Sequence, residues 1–363
     1  MRIARQRAFA ACAAGLLVAA CTAPAAAQWQ IDSKDGKTSV KFGFLAQPQL
    51  ETSDTPTGSG RSTNLFLRRI RVMFGGKLSD NWTFFFETDS PNLGKANAAG
   101  VKDASSLYMQ DAFVTFNQSD AFKIDAGLML PPIGRNHTQS AATLLAVDFG
   151  PYSCLESGPA GGRVGRDYGV QLRGYPGKQH AEYRLGVYQG VRGVDARNTL
   201  RLVGRGVWYP VGAETGFFYA GTFQGSKRLV AIGASFDRQK AYSVYGVDAF
   251  LEQPIHQGQQ GVTLQCEWMR YDGAQLLAAL PKQAVYLVES AFHMSKGRYS
   301  LFLQFAGRTF EHPLTLAQNS LQVGMIWWMA GHSRSLKFST GRLHAAGQPD
   351  RVQVLGQLQV YAY

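Results

Sequence analysis

The feature that most constrains this chain is an alternation of apolar and polar residues with a period of two. Ile70, Val72 and Phe74 alternate with Arg69, Arg71 and Met73, and Val262, Leu264, Cys266 and Trp268 alternate with Thr263, Gln265 and Glu267. Successive side chains of a β-strand point to opposite faces, so this period indicates strands with one apolar and one polar face. Because no linker or change of composition divides residues 28–363, the sequence predicts a single all-β domain.

Two all-β architectures have strands of this kind. A soluble sandwich buries the apolar face, whereas a transmembrane antiparallel β-barrel turns it toward lipid and encloses the polar face. The alternating segments span roughly 9 to 12 residues, the length of a tilted membrane strand, whereas soluble strands average about 5 to 6. Aromatic residues near the segment ends favour the barrel, because such barrels carry aromatic girdles at both membrane interfaces. These residues are Trp82, Tyr108, Phe116, Tyr175, Trp208, Tyr209, Tyr271, Phe310 and Trp327.

The alternation predicts sixteen strands. They cover residues 38–51, 62–75, 81–89, 106–117, 121–130, 166–175, 180–190, 198–209, 228–237, 241–252, 261–271, 283–294, 297–310, 319–330, 333–343 and 350–363. The apolar stretch Phe217 to Phe223 is not counted, because bacterial barrels have even strand numbers, short periplasmic turns and longer outer loops. This choice requires an unusually long periplasmic connection at residues 210–227.

The first residues predict export. Arg2, Arg5 and Arg7 precede a short apolar run, and Ala25 to Ala27 supply small residues for cleavage, so residues 1–27 are interpreted as a signal peptide. Residues 28–363 then form the barrel, which places the protein in the outer membrane of a Gram-negative bacterium. An alternative interpretation takes Val18 to Cys21 as a lipobox, with lipidation of Cys21. No apolar run of about 18 residues follows the leader, which excludes a helical membrane protein.

The charge balance is basic. Removal of the leader takes three of 37 basic residues and leaves 25 acidic ones, for a net charge of +9. Such a balance suits nucleic acid, anionic lipid or anionic solutes. Export and the absence of a basic run argue against nucleic acid, so the expected partners are outer-membrane lipid and small hydrophilic or anionic solutes.

The longest predicted loop runs from residue 131 to residue 165, and long structureless loops are uncommon unless they are functional. We interpret it as a constriction loop that folds into the barrel; the alternative is a plain external loop. Its charged residues are Arg135, Asp148, Glu156 and Arg163.

Strand phase predicts which charged residues line the interior. The basic residues are Arg69, Arg71, Lys123, Arg173, Arg184, Arg201 and Arg205, and the acidic ones include Glu87, Asp89 and Asp111. Rings of charge of this kind select ions in pores. The alternative is that these side chains pair with one another across the wall.

The sequence contains no strong motif for a metal site, a cofactor or a catalytic site. The histidines lack a metal-binding spacing, and no CxxC or haem motif occurs, so no metal or cofactor is expected. Cys154 and Cys266, the cysteines beyond the leader, are expected to be unpaired. A hydrolase embedded in the barrel stays open as an alternative, because a Ser–His pair need not be close in sequence.

The chain resembles the phosphate-selective porin O and P family, including related porins of oxyanion-reduction systems. The resemblance is clearest in Phe66 to Leu78, Ala126 to Leu128, Arg166 to Leu172, Phe218 to Phe223 and Tyr245 to Asp248. It implies a sixteen-stranded homotrimer with a positively charged path that prefers anions. Phosphate specificity does not carry over, because loop 131–165 contains no lysine.

The C-terminus departs from the outer-membrane pattern. Such chains usually end in Phe with apolar residues at alternate positions before it. Here the chain ends in Tyr363, and Tyr361 and Tyr363 are out of phase with the apolar residues before them, which are Val352, Val354, Leu358 and Val360. A bulge or a register slip in the last strand is therefore expected.

Passive diffusion of small hydrophilic solutes through a water-filled channel, with a preference for anions, is the leading functional hypothesis, and the protein is not expected to be an enzyme. The alternatives are a barrel that forms part of a larger conduit with a redox partner, and the embedded hydrolase.

Overall fold

The computed structural model describes residues 29–55, 60–104, 107–158, 162, 164–194, 196–311 and 317–363. The predicted signal peptide, residues 1–27, and Arg163 lie outside these ranges.

The described residues form seventeen β-strands and one short 3-10 helix, His256–Gly258. The strands are β1 (Trp29–Asp32), β2 (Ser39–Asp54), β3 (Arg61–Lys77), β4 (Trp82–Asp89), β5 (Tyr108–Ser119), β6 (Phe122–Met129), β7 (Asp167–Gly174), β8 (Ala181–Tyr188), β9 (Arg201–Val211), β10 (Leu229–Gln239), β11 (Tyr242–Ile255), β12 (Gln260–Asp272), β13 (Gln283–Met294), β14 (Tyr299–Phe310), β15 (Gln318–His332), β16 (Arg334–Ala345) and β17 (Arg351–Ala362).

Strands β2 to β17 close into a ring. Each pairs antiparallel with the next along the chain, and the last strand pairs with the first, with Gln357 opposite Gln49. Strand β1 adds only a short hairpin to the start of β2. The prediction of a sixteen-stranded antiparallel barrel is confirmed, and each predicted strand overlaps an observed one.

The connections divide between two rims. The short-turn rim has residues 78–81, 120–121, 175–180, 256–259, 295–298 and 333. The long-loop rim has the described parts of residues 55–60, 90–107, 130–166, 189–200, 240–241, 273–282, 311–317 and 346–350. Barrels of the outer membrane place short turns in the periplasm and long loops outside.

The apolar face of the wall is the exposed one. Val247 and Leu301 are each 53% exposed, whereas the inward Asp125, Gln171 and Gln265 are fully buried. A soluble sandwich would show the reverse, so the wall is built for lipid outside and polar groups inside. No helix in the described part of the chain is long and apolar enough to cross a membrane.

Two details of the predicted wall are wrong. Tyr175, Tyr209 and Tyr271 face the interior and are buried, so they do not belong to an interfacial girdle. Strand β17 also pairs with β16 without a register shift. Tyr361 and Tyr363 point inward and pack beside Phe85, which explains their phase without a bulge or slip.

Candidate channel interior

Loop 131–165, between β6 and β7, folds into the barrel. Ile133, Arg135 and Thr138 are buried in its first half. Farther along, the ammonium group of Lys337 on β16 donates hydrogen bonds to the carbonyls of Leu144, at 2.6 Å, and Ala146, at 2.8 Å. The loop therefore crosses the interior and contacts the far wall; that it constricts a conducting path stays a prediction.

Two charged residues of this loop are fixed by partners. The guanidinium of Arg135 is 2.9 Å from the carboxylate of Glu214 and lies 3.7 Å from the ring centroid of Phe250. Asp148 binds the guanidinium groups of Arg68 and Arg69 on β3. Burial would raise the pKa of Asp148, but the two arginines outweigh it and hold the pKa well below its usual range.

Glu156 is the exception within the loop. Its carboxylate is buried and accepts no hydrogen bond from the described residues; the nearest charged or titratable groups are His137 at 3.6 Å and Arg201 at 3.9 Å. Burial raises the pKa of Glu156 to about 7, against the lowering effect of Arg201. Burial also lowers the pKa of His137 to about 3, so this ring is neutral at physiological pH.

A second stretch, residues 212–228 between β9 and β10, also enters the barrel, and we call it the inserted segment. It is the long connection that the sequence predicts at the short-turn rim, but it does not run along that rim. Tyr219 and Thr222 are fully buried. Arg184 of β8 donates hydrogen bonds to the carbonyls of Gly216, at 3.1 Å, and Phe217, at 2.7 Å.

The two internal stretches meet in the middle of the barrel. Gln139 and Tyr219 form a parallel β-bridge. The amide of Ser140 donates to the carbonyl of Tyr219 at 2.9 Å, and the amide of Tyr219 donates to the carbonyl of Thr138 at 3.1 Å. These stretches enter from opposite rims and contact each other inside the barrel.

The predicted interior arginines all face inward and are all paired. At least one carboxylate binds each of them: Arg69 with Asp148, Arg71 with Glu87 and Asp89, Arg173 with Asp125, Arg184 with Glu182, Arg201 with Asp237, and Arg205 with Asp248. Asp111 binds Arg166, and Lys123 lies 3.6 Å from Asp120 at the short-turn rim. Each of these predicted basic residues thus has a carboxylate neighbour in the described part of the chain.

Glu252 is one of the interior carboxylates that the sequence interpretation missed. Its carboxylate on β11 accepts hydrogen bonds from the amides of Phe223, at 2.7 Å, and Gly225, at 2.9 Å. The hydroxyl of Thr263 also donates to it at 2.9 Å. Glu252 shares the strand phase of Asp248, so the alternation of the strand could have predicted that it faces the interior. No pattern in the sequence near Glu252 predicts which residues of the inserted segment it binds.

One cavity of about 70 Å³ lies beside β2 to β4 and the end of the chain. Arg71, Glu87 and Arg166 supply its charged lining, and Tyr361 and Tyr363 are among its aromatic residues.

The interior also contains a Ser–His contact. Ring Nδ1 of His293 is 2.7 Å from the hydroxyl of Ser300, and ring Nε2 is 2.8 Å from the hydroxyl of Thr263. All three residues are at most 1% exposed, so a substrate has no access to them in this structure. Cys154 and Cys266 are free thiols, as expected.

Comparison with known families gives one match for the sequence. The model of the family described as phosphate-selective porin O and P matches residues 47–244, more than half of the chain. No curated protein matches the sequence.

Solved structures similar to this fold are outer-membrane proteins. OmpT of Vibrio cholerae in its trimer form is 9% identical, with a TM-score of 0.56 over 90% of this chain and 100% of that chain. The anion-selective porin of Comamonas acidovorans is 10% identical, with a TM-score of 0.56 over 90% and 100%. OmpF of Salmonella typhi, in a complex with daunomycin, is 12% identical, with a TM-score of 0.59 over 91% and 100%. At these identities the likeness concerns the fold alone.

Proposed function

We propose that this chain, which belongs to the phosphate-selective porin O and P family and is therefore an outer-membrane channel for small solutes, prefers anions and assembles as a homotrimer. The observation that carries the channel function is the closed ring of sixteen strands with an apolar exterior and an ionic interior. Solutes cross such a barrel by passive diffusion through water inside it.

The preference for anions is argued from where the excess positive charge lies. Because each predicted interior arginine binds a carboxylate, we infer that the excess positive charge lies mainly at the rims. Lys178 and Lys296 are exposed on the short-turn rim, and Lys240 is exposed on the opposite rim. A positively charged channel entrance raises the local concentration of anions. The anion-selective porin of similar fold supports the same expectation.

Planar-bilayer recording under a KCl gradient tests this proposal. We expect stepwise currents whose reversal potential favours chloride. Because rim charges are screened within about 10 Å at 0.1 M salt and about 3 Å at 1 M, the preference should weaken as the salt concentration rises. A reversal potential that favours potassium at low salt would contradict the preference for anions and leave the channel function standing.

The trimer is proposed from the likeness to a protein solved in a trimer form. Native mass spectrometry of the detergent-extracted protein should give three copies of the chain. A single copy under the same conditions would contradict the trimer.

Loop 131–165 is proposed to narrow the channel, since it crosses the interior and contacts Lys337 on the far wall. The interior arginines and carboxylates would then act as structural ion pairs that hold the wall and the loop in place, and selectivity would depend on the rims.

A further inference from the structure

We propose that the inserted segment, residues 212–228, is a plug that shuts the channel from the short-turn rim, and that Glu252 is the latch that holds it. This inference rests on the proposed channel function and concerns its regulation. Four features of the segment support it.

The segment is an insertion into a hairpin that does not need it. Strands β9 and β10 are already paired from Leu202 and Arg238 to Val211 and Val230. A hairpin of this kind closes with a turn of about two to five residues. The neighbouring hairpin on the same rim, between β11 and β12, uses only residues 256–259, and the next, between β13 and β14, uses only residues 295–298. The wall therefore does not depend on the length of the insertion.

The two ends of the inserted segment lie close together. The ammonium group of Lys227 donates to the carbonyl of Ala213 at 2.5 Å, which ties its two ends together. Gly212, at the start, has a φ of +68°, a left-handed conformation that glycine adopts without strain. A compact loop whose ends are close together can move as one unit.

Tyr219 of this segment stands among the arginines of the interior. Its ring centroid is 4.7 Å from the guanidinium of Arg184, 5.0 Å from that of Arg135 and 5.2 Å from that of Arg205. Its hydroxyl donates to the carboxylate of Glu182 at 2.8 Å. A solute cannot pass along this side of the interior while the ring is in place.

Glu252 gathers several hydrogen bonds from the segment on one carboxylate of the wall, in addition to the contacts of Arg184 and Glu182 with the segment. Glu252 accepts the amides of Phe223 and Gly225 and the hydroxyl of Thr222, at 3.1 Å, and all three donors belong to the segment. Hydrogen bonds to a charged acceptor are stronger than neutral ones. Loss of this carboxylate should therefore loosen residues 222–225 of the segment without opening the strands.

The test compares single-channel conductance in planar bilayers for the full chain and for a variant in which residues 213–227 are replaced by Asn-Gly. We expect the variant to conduct at least threefold more than the full chain at the same voltage. Retention of the fold is checked by circular dichroism and by heat-dependent migration in gels.

Two point variants separate the latch from general destabilisation. Glu252→Gln removes the negative charge and replaces one of the two acceptor oxygens with an NH2 donor that faces N–H or O–H donors, so openings should become at least threefold more frequent. Glu289→Gln is the matched control, because Glu289 is also a buried wall carboxylate but accepts its hydrogen bond from Gln304 on β14, outside the segment. Its opening frequency should equal that of the full chain.

The outcomes are distinguishable. Equal conductance of the full chain and the shortened variant would overturn the plug and leave the channel function intact. Equal opening frequency of the Glu252→Gln and Glu289→Gln variants would overturn the latch. If a folded shortened variant passed no current at all, the channel function itself would be overturned, and the plug with it.

Discussion

Val247 and Asp248 are neighbours on β11, but their side chains have opposite surroundings. Val247 is 53% exposed on the outer face, whereas Asp248 is buried inside and bound to Arg205. The outer face is stable because its apolar groups need no partner in lipid. The inner face depends on the pairing of its arginines with carboxylates, since an isolated charge is costly away from water. The same strand therefore tolerates very different substitutions at adjacent positions.

The largest expected effect comes from breaking an inner ion pair. Arg205→Met leaves Asp248 buried and uncompensated, and removal of one partner of such a pair costs about 3 to 5 kcal/mol. Urea unfolding of the protein in liposomes should show this loss. The double variant Arg205→Met with Asp248→Leu should recover most of it. If the single variant were as stable as the unmodified chain, the inner face would not depend on pairing.

The next effect comes from placing a charge on the outer face. Val247→Lys puts an ammonium group near the membrane centre, where Lys costs about 2 to 4 kcal/mol. Leu321→Lys, near the long-loop end of β15, is the matched control and should cost at most about 1 kcal/mol. Liposome unfolding measures both variants. Equal losses would contradict a lipid-facing exterior.

A smaller effect on stability is expected from Glu156, whose carboxylate accepts no hydrogen bond from the described residues. The docked loop keeps the proton of Glu156 up to about pH 7, while an undocked glutamate loses it near its ordinary pKa. The contribution of Glu156 to docking therefore weakens as the pH rises between these two values and stays weak above pH 7. His137 contributes in the opposite direction, because its pKa is about 3 in the docked loop and returns to its ordinary value, about 6.5, when the loop is undocked. Comparison of the Glu156→Gln variant with the unmodified chain cancels the contribution of His137. The Tm of the Glu156→Gln variant should exceed that of the unmodified chain at pH 8 but not at pH 4; a constant difference would exclude this titration.

The smallest effect on the free energy of unfolding is expected for an ion pair that is exposed to water. Arg342 and Asp350 lie 3.2 Å apart at the long-loop rim, and their side chains are 56% and 41% exposed. Exposed pairs contribute at most about 1 kcal/mol. Arg342→Ala should therefore change the free energy of unfolding far less than Arg205→Met does. A comparable loss would mean that burial is not what makes the inner pairs important.

The strands of the barrel wall could be predicted from the sequence, because the alternation that defines them is visible within each short stretch of the chain. Alternation alone places Asp125 inside and Leu172 outside, whatever their partners are. The interior could not be predicted in the same way. Arg201 pairs with Asp237, 36 positions away, and this partner follows from strand register.

The inserted segment shows the same limit. Phe217, Tyr219 and Phe223 have the spacing of a strand, and strand parity correctly excluded them from the wall. Nothing local indicates that Tyr219 binds Glu182 or that Glu252 binds the segment. The alternation puts the arginines on the inward face, but the sequence does not identify the carboxylate that each one binds.

The seam between the first and last barrel strands has a consequence for biogenesis. Ser53 pairs with Gln353, three hundred residues later, so the ring cannot close until the end of the chain has arrived. Before that moment two strand edges are unpaired, and such edges recruit other chains. A chain truncated before β17 should therefore aggregate during assembly even though the rest of its strands are intact.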